Sequence, residues 1–234
     1  NSMAERVQQR LATHRELSSA ISHELRTPIA RMRFALEMLA GTDERAERER
    51  LWTMMEADLD ELDHLIDTSL TYARFEREAP EPHFSSVRFA DWLSDEVDAV
   101  RLLGRDLKIT VDTAKLPRNL AVDVDRKAMP YALRNLLRNA FRYASAQIVV
   151  SAELREGNIV VHVDDDGIGI PPEDRENVFS AFTRLDRSRD RATGGYGLGL
   201  AITRRVLELH GGTATADGAP LGGARFTLAW PLTQ

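Results

Sequence analysis

The chain has 234 residues, 43% of them hydrophobic and 29% charged, with 31 basic against 37 acidic side chains and a net charge of -6. That apolar share suffices for real cores and sets disorder aside, while the acidic balance argues against broad electrostatic binding to nucleic acid or anionic membrane. Because cysteine is absent, thiol nucleophiles, disulfides and thiolate zinc sites are excluded, and the chain suits a reducing compartment.

No apolar run approaches the roughly 18 residues that span a bilayer, and no signal peptide opens the chain. The residues therefore read as a cytoplasmic piece without membrane contact of its own. The opening Asn1-Ser2-Met3 has the form of a cloning scar, which leaves open a membrane anchor upstream in the natural protein.

From Ala4 to Phe75 the only helix breakers are Gly41 and Pro28, amid Ala, Leu, Glu and Arg, so the segment predicts two long helices. Val7, Leu11, His14, Ser18, Ile21, Leu25, Pro28, Met32, Ala35 and Leu39 form a heptad seam on the first. A second seam runs Trp52, Met55, Leu59, Leu62, Ile66, Ser69, Ala73. Gly41-Thr42-Asp43 supplies a helix stop and N-cap candidates, so the helices should fold back as an antiparallel hairpin. A lone hairpin buries little, and two copies would bury both seams as a four-helix bundle, hence a homodimer. The competing expectation is a monomeric hairpin packed on its own second half.

Glu78-Ala-Pro-Glu-Pro-His83 reads as an extended linker because proline disfavours helix at and before itself. The expected division is a helical hairpin over 1–78, a linker over 79–86 and a second domain over 87–234. In that domain the spacing predicts a helix at Ala90 to Leu103, strands at Leu107 to Val111 and Leu120 to Val124, and a helix at Lys127 to Tyr143. A hairpin of strands, Gln147 to Leu154 and Asn158 to Val163, turns at Glu156-Gly157-Asn158. A glycine-rich stretch then leads to a helix at Leu198 to His210 and strands at Thr213 to Ala216 and Arg225 to Trp230. The whole is an α/β sandwich with helices on one face of a mixed sheet, preceded by the helical hairpin.

Ser22-His23-Glu24-Leu25-Arg26-Thr27-Pro28 is the first chemical string. His23 lies two residues past the seam position Ile21, about 200° around the helix, so its imidazole should face solvent. Neutral imidazole offers one free lone pair, and Glu24 can hold or accept the proton on the other nitrogen. Pro28 removes the amide that would bond the carbonyl of Glu24, so the helix should bend and loosen beside the histidine. Position alone is weak, since most helical surface histidines do nothing.

In Asn135-Leu-Leu-Arg-Asn139-Ala-Phe-Arg142-Tyr143, steps of four and three put Asn135, Asn139 and Arg142 on one helical face. A side-chain carbonyl there suits Mg²⁺, and Arg142 suits phosphate, although an ordinary polar face fits equally well. Asp165-Asp166-Gly167-Ile168-Gly169-Ile170-Pro171 follows a β-branched strand. Its glycines permit a tight turn and close approach of a flat ligand, and a carboxylate at the strand end can accept from an exocyclic amine. Phe179-Ser-Ala-Phe182 precedes a charged stretch, Thr183 to Gly195, that carries Arg184, Arg187, Arg189 and Arg191 and fits a lid. Either phenylalanine can equally be core. Gly194-Gly195-Tyr196-Gly197-Leu198-Gly199 opens directly into a helix, whose N-terminal amides can bind phosphate oxygens. No Gly-Lys-Ser/Thr follows, so it is not a Walker A loop. Gly211-Gly212 and Gly222-Gly223 read as a helix stop and a tight strand turn, without chemistry.

In this order, from residue 22 to about 213, the strings resemble the H-box, N-box, two glycine boxes and F-box of two-component sensor histidine kinases. The resemblance implies a dimerisation and histidine phosphotransfer bundle followed by an ATP-binding sandwich of the type shared with DNA gyrase and MutL. It implies ATP and Mg²⁺ as cofactors, His23 as phosphoacceptor, Glu24 as its base, and Thr27 as the residue that orients water for dephosphorylating a partner. Asn139 becomes the Mg²⁺ ligand, and Asp165 reads adenine, with Asp164 as its off-by-one competitor. Asn135, Arg142, Tyr143, Gly167, Gly169, Phe182, Gly195, Gly197, Leu198 and Gly199 join the nucleotide site. Two residues depart from the pattern: Arg142 stands where lysine is commoner, and Ala181 replaces a proline. The implied partner is a response regulator of the OmpR type. Rival readings are a nucleotide-sensing scaffold, an ATP-driven clamp, and a protein whose main output is phosphatase activity through Thr27. Whether His23 would be phosphorylated within its own subunit or by its mate stays open.

Overall fold

The computed structural model describes residues 2–77, 82–101, 107–183, 185 and 196–233, with side chains from residue 18 onward except at 76 and 77. The chain divides into two compact units, Asn1–Thr71 and Tyr72–Gln234. Helix α1 spans Ser2–Gly41 and α2 spans Arg45–Arg77. Gly41 ends α1 as its composition predicts, and the amide of Glu44 donates to Thr42 Oγ1 (3.3 Å) in the turn. The helix runs unbroken through Pro28, which is buried.

Within the first unit the seams are only partly as expected. Pro28, Ala35 and Ser69 are buried, and Ile21, Leu25, Met32, Leu39, Met55 and Leu62 are half-buried. Trp52, Leu59 and Ile66, whose burial is expected of two copies, stand exposed at intervals of seven in the single chain, which buries Leu51, Asp58 and Leu65 one residue earlier. The reason is visible at Asp58, a carboxylate whose burial is made tolerable by Arg31 of α1: Nε donates to Oδ1 (2.8 Å), and the guanidinium also pairs with Glu61. Val7, Leu11 and His14 have side chains outside the described set.

In the second unit, strand β1 (Phe84–Arg88) is followed by α3 (Phe89–Arg101), β2 (Lys108–Lys115), β3 (Ala121–Asp125) and α4 (Met129–Tyr143). Then come β4 (Gln147–Arg155), β5 (Asn158–Asp165), two short 3₁₀ turns at Pro172–Asp174 and Asn177–Phe179, α5 (Gly199–Leu209), β6 (Thr213–Gly218) and β7 (Ala224–Pro231). Strand β1 begins inside the expected linker and runs two residues past it, where no strand is predicted. It pairs antiparallel with β3 as a separate two-stranded ribbon. The main sheet has the order β2-β4-β5-β7-β6, with only the β2–β4 pair parallel.

Alternation builds one face of this sheet from Ile148, Val150 and Ala152 of β4, Ile159, Val161 and Val163 of β5, and Phe226, Leu228 and Trp230 of β7, all buried. Helices α4 and α5 pack on each other and against the sheet. Helix α4 buries Met129, Ala132, Leu133, Leu136, Leu137, Ala140 and Phe141, the three-four spacing of a core-facing stripe. The β4–β5 hairpin turns through Glu156 (φ 51°) and Gly157 (φ 79°), two consecutive left-handed residues that match the right-handed strand twist.

Asp125 joins four segments at the end of β3. Its carboxylate accepts from the amides of His83 (2.9 Å), Lys127 (2.8 Å) and Ala128 (3.0 Å), while its own amide donates to Nε2 of the fully buried His210 (3.0 Å). Burial pushes the Asp125 carboxyl up, and the three backbone donors outweigh it, leaving the pKa below the ordinary carboxylate value. Asp125→Ala is expected to destabilise the second unit by about 2–3 kcal/mol, read as a lowered thermal midpoint. Because the folded pKa is depressed, this contribution is fully present above the unfolded carboxylate value of about 4 and is lost as pH falls through the folded value. The gap between native protein and variant should therefore shrink in acid.

Candidate functional site

His23 stands midway along α1 with its side chain 70% exposed, as its offset from Ile21 requires. Glu24 Oε1 lies 3.5 Å from His23 Nδ1, which leaves Nε2 as the nitrogen directed away from the carboxylate. Thr27, half-buried, follows one turn later on the same helical side as His23. An imidazole, a carboxylate next to it and a hydroxyl thus share one stretch of helix.

The second constellation gathers at the end of β5. Successive side chains of a strand point to opposite faces, so Asp164 and Asp165 part company. Asp164 is held by a bidentate pair from Arg225, Nε to Oδ1 and a terminal nitrogen to Oδ2, both 2.7 Å, on the face away from the helices. Asp165 turns inward, is 2% exposed, and accepts at Oδ1 from the amides of Gly167 (2.9 Å) and Ala224 (3.1 Å). Burial raises its pKa, the two amides oppose the rise, and the neighbouring aspartates add to it. Asp166 serves the backbone instead. Its carboxylate caps the amides of Ser145, Ala146 and Gln147 at the entry to β4, and these donors, Ala146 first, hold its pKa low.

Glycine surrounds Asp165 for steric reasons. A Cβ on Gly167 would lie under 3.0 Å from the carbonyl of Tyr143, and one on Gly223 would lie that close to Asp165 Oδ1, the Gly167 amide and the Asp165 carbonyl. Gly169, at φ 69°, brings the loop against the Gly222-Gly223 turn. The pair Gly222-Gly223 was expected to act only as a turn. Gly222, at φ 98°, does so, whereas Gly223 forms a wall of the Asp165 cradle, and Ala224 supplies one of its donors. A second glycine directly before an alternating strand was the available signal for this.

On α4, Asn135 is turned towards α5 and not into open space: its Nδ2 donates to the carbonyl of Gly199 (3.0 Å), pinning the first turn of α5 to α4. Asn139 is half-buried, and its amide has no hydrogen bond among the described residues. Arg142 lies with its guanidinium carbon 5.6 Å from the Tyr143 ring centre. Leu198 is fully buried, so only its backbone can serve a ligand, and Gly199 opens α5. Phe182 and Gly197 are joined, the Phe182 amide donating to the Gly197 carbonyl (2.9 Å), both with left-handed φ (62° and 70°). Phe179 is core, 3% exposed against Phe226. Gly195 and the arginines Arg184, Arg187, Arg189 and Arg191 lie outside the described residues.

The residues suit an adenine nucleotide: a buried carboxylate acceptor among close-packed glycines, and a helix whose start carries glycines. Among the described residues no group of three or more His, Asp or Glu side chains forms a metal site. The half-buried side-chain carbonyl of Asn139 is of the oxygen type that can ligate Mg²⁺. Among the described residues no helix is long and apolar enough to cross a membrane.

Residues 13–78 match the His Kinase A (phospho-acceptor) domain, and residues 124–234 match the histidine kinase-, DNA gyrase B- and HSP90-like ATPase domain. The sensor protein RstB of Escherichia coli strain K12 is 40% identical over 99% of this chain, which spans 52% of RstB. Among solved structures, full-length ShkA in complex with AMPPNP is 25% identical, with a TM-score of 0.64 over 93% of this chain and 45% of that one. Histidine kinase ThkA in complex with the response regulator protein TrrA is 23% identical, with a TM-score of 0.77 over 97% of this chain and 64% of that one, and shows the shared fold. The chain spans about half the length of the curated relatives it matches. An exposed histidine with its carboxylate, a glycine-walled Asp165 pocket and both matching domains in this order make the chain a member of the sensor histidine kinase family.

Proposed function

We propose that this chain uses ATP to phosphorylate His23 and passes the phosphoryl group to an aspartate of a response regulator, of the OmpR type as the likeness to RstB suggests. The observation that carries the reading is the buried Asp165 carboxylate, packed so closely that a Cβ at Gly167 or Gly223 would lie under 3.0 Å from neighbouring atoms. Asp165 would accept from the adenine amine, and the amides at the head of α5 together with Arg142 would hold phosphates. Mg²⁺, held in part by Asn139, would screen charge on the phosphates during in-line transfer. In the transfer the Nε2 lone pair of His23 forms the N–P bond as the bond from phosphorus to the ADP oxygen breaks. Glu24 takes the Nδ1 proton of the resulting imidazolium.

Thr27, one turn from His23, would orient water on a phosphorylated regulator, a role that would add phosphatase activity towards it. The hairpin of residues 1–78 and the domain from residue 87 onward would do these two jobs, and transfer requires them to meet. In a longer natural protein an upstream membrane anchor would leave this portion in the cytoplasm. The test is incubation with Mg²⁺ and γ-labelled ATP. Acid-labile, base-stable label on the chain is the expected result; tight ATP binding without label would favour a nucleotide-sensing scaffold.

The exposed stripe Trp52, Leu59, Ile66 on α2, together with Ile29 and Leu36 on α1, is the surface on which a second copy would complete a four-helix bundle. Leu59→Glu is expected to weaken self-association at least about a hundredfold, since two buried leucines would be exchanged for two charges in each dimer. Sedimentation equilibrium would then return the monomer mass. An unchanged dimer would show that the stripe does not carry the interface.

A further inference from the structure

Arg204 projects from α5 one turn beyond the glycine-rich start of that helix. Its guanidinium carbon sits 4.8 Å from the centre of the Phe179 ring, and one terminal nitrogen donates to Glu176 Oε1 (2.7 Å). The side chain is 31% exposed, so it lies along the surface of the segment it grips. Phe179 is thereby enclosed, with Arg204 over its face and the Phe226 ring of β7 edge-on at 6.3 Å.

Three residues past Phe179, Phe182 adopts φ 62°, a left-handed conformation that an aromatic residue keeps only when its surroundings impose it. The surroundings are clear. Its amide is bonded to Gly197, and Gly197 has no room for a side chain, because a Cβ there would lie under 3.0 Å from Phe182 Cα and from the Thr183 carbonyl. Chain therefore runs in a closed circuit: from α5 through Arg204 to Phe179, on to Phe182, across one hydrogen bond to Gly197, and back through Leu198 into α5. Arg204 is the only side-chain tie in that circuit between α5 and the 176–182 segment among the hydrogen bonds and ring contacts described.

We infer that Arg204 is a positioning residue for nucleotide binding: by clamping Glu176 and Phe179 it holds Phe182 in its strained conformation and so aims the Gly197-Leu198-Gly199 backbone at the phosphates. Arg204 touches no reacting atom. The inference rests on the ATP-dependent kinase reading and adds a residue to that site. A guanidinium is suited to the task because its plane can lie on a ring while its edge donates to a carboxylate; an ammonium keeps the charge, the ring contact and one donor. Methionine keeps the length alone.

The experiment measures initial rates of autophosphorylation against ATP concentration for the whole chain, with Arg204→Met, Arg204→Lys and Glu176→Gln beside the native protein. For Arg204→Met the expected result is a KM for ATP raised about tenfold with kcat within about twofold, the pattern of lost binding without lost chemistry. Arg204→Lys should stay within about threefold of the native KM, and Glu176→Gln, which leaves the ring contact, should rise only about twofold. Amide hydrogen exchange gives a second readout, in which the Phe182 amide exchanges faster in Arg204→Met while the amides of β4 and β5 are unchanged. An unchanged KM in Arg204→Met overturns the inference, as does a lysine variant as impaired as the methionine one. A native protein that takes up no label at any ATP concentration would bring down the kinase reading and this inference with it. Native labelling with an indifferent Arg204→Met would bring down the inference alone.

Discussion

Replacing His23 by alanine is expected to reduce phosphoryl incorporation from ATP to background, with ATP binding unchanged. The side chain is 70% exposed and lies in a unit of its own, apart from the residues that shape the nucleotide pocket. Its removal would therefore delete the proposed acceptor without disturbing the proposed nucleotide site. Solvent-exposed substitution in a helix that favours alanine should leave the fold intact or slightly firmer. The companion change Glu24→Gln keeps shape and removes the base, and its expected effect is a fall in kcat of about a hundredfold with little change in KM. Labelling that persists in His23→Ala would place the acceptor elsewhere. Persistence only in Glu24→Gln would mean that the Nδ1 proton leaves to water.

Gly223→Ala is expected to weaken ATP binding at least a hundredfold, about 3 kcal/mol, although it adds a single methyl group. The new carbon would press on Asp165 Oδ1, the Gly167 amide and the Asp165 carbonyl together. Two of these are backbone, held by the β5 ladder and the loop that follows, so the easiest escape is displacement of the Asp165 carboxylate from its two amide donors. Gly222→Ala separates this crowding from simple turn strain. That residue has a left-handed φ of 98° but nothing within 4 Å of a Cβ, so it should cost stability while ATP binding falls only modestly. Calorimetric titration with ATP checks both. Equal losses at the two positions would show that the turn, and not the cradle, is what binding requires.

Much of this was legible in the chain. The α4 stripe and the β4–β5 hairpin follow directly from period and turn chemistry, because each is decided by residues close in sequence. Strand β1 was not legible, since Phe84-Ser-Ser-Val-Arg88 has too little alternation to announce a strand, and it forms because β3 offers an edge. The row of α2 that is buried within a single hairpin was not legible, because Asp58 sits where a leucine would have marked it, and its tolerance depends on Arg31 in the other helix. The choice between Asp164 and Asp165 stayed open for a similar reason. Two adjacent carboxylates are equivalent as text, and only pairing with Arg225 on one face and with backbone amides on the other separates them. Arg204 carried no signal at all, since its partners lie 25 to 28 residues away along the chain.

The opposed faces of Asp164 and Asp165 also bear on how this sequence can drift. Strand β5 is clasped by β4 from Asn158 to Asp165 and by β7 from Asn158 to Asp164, so a residue gained or lost within it would have to shift one ladder or the other. Either shift would carry the arginine-bound Asp164 to the inner face and Asp165 to the outer one. Point changes along β5 can accumulate while its length is frozen. Natural variation in length should therefore collect in connections such as Pro117 to Leu120 and Ala219 to Gly222, where an extra residue alters a turn and leaves every rung in register.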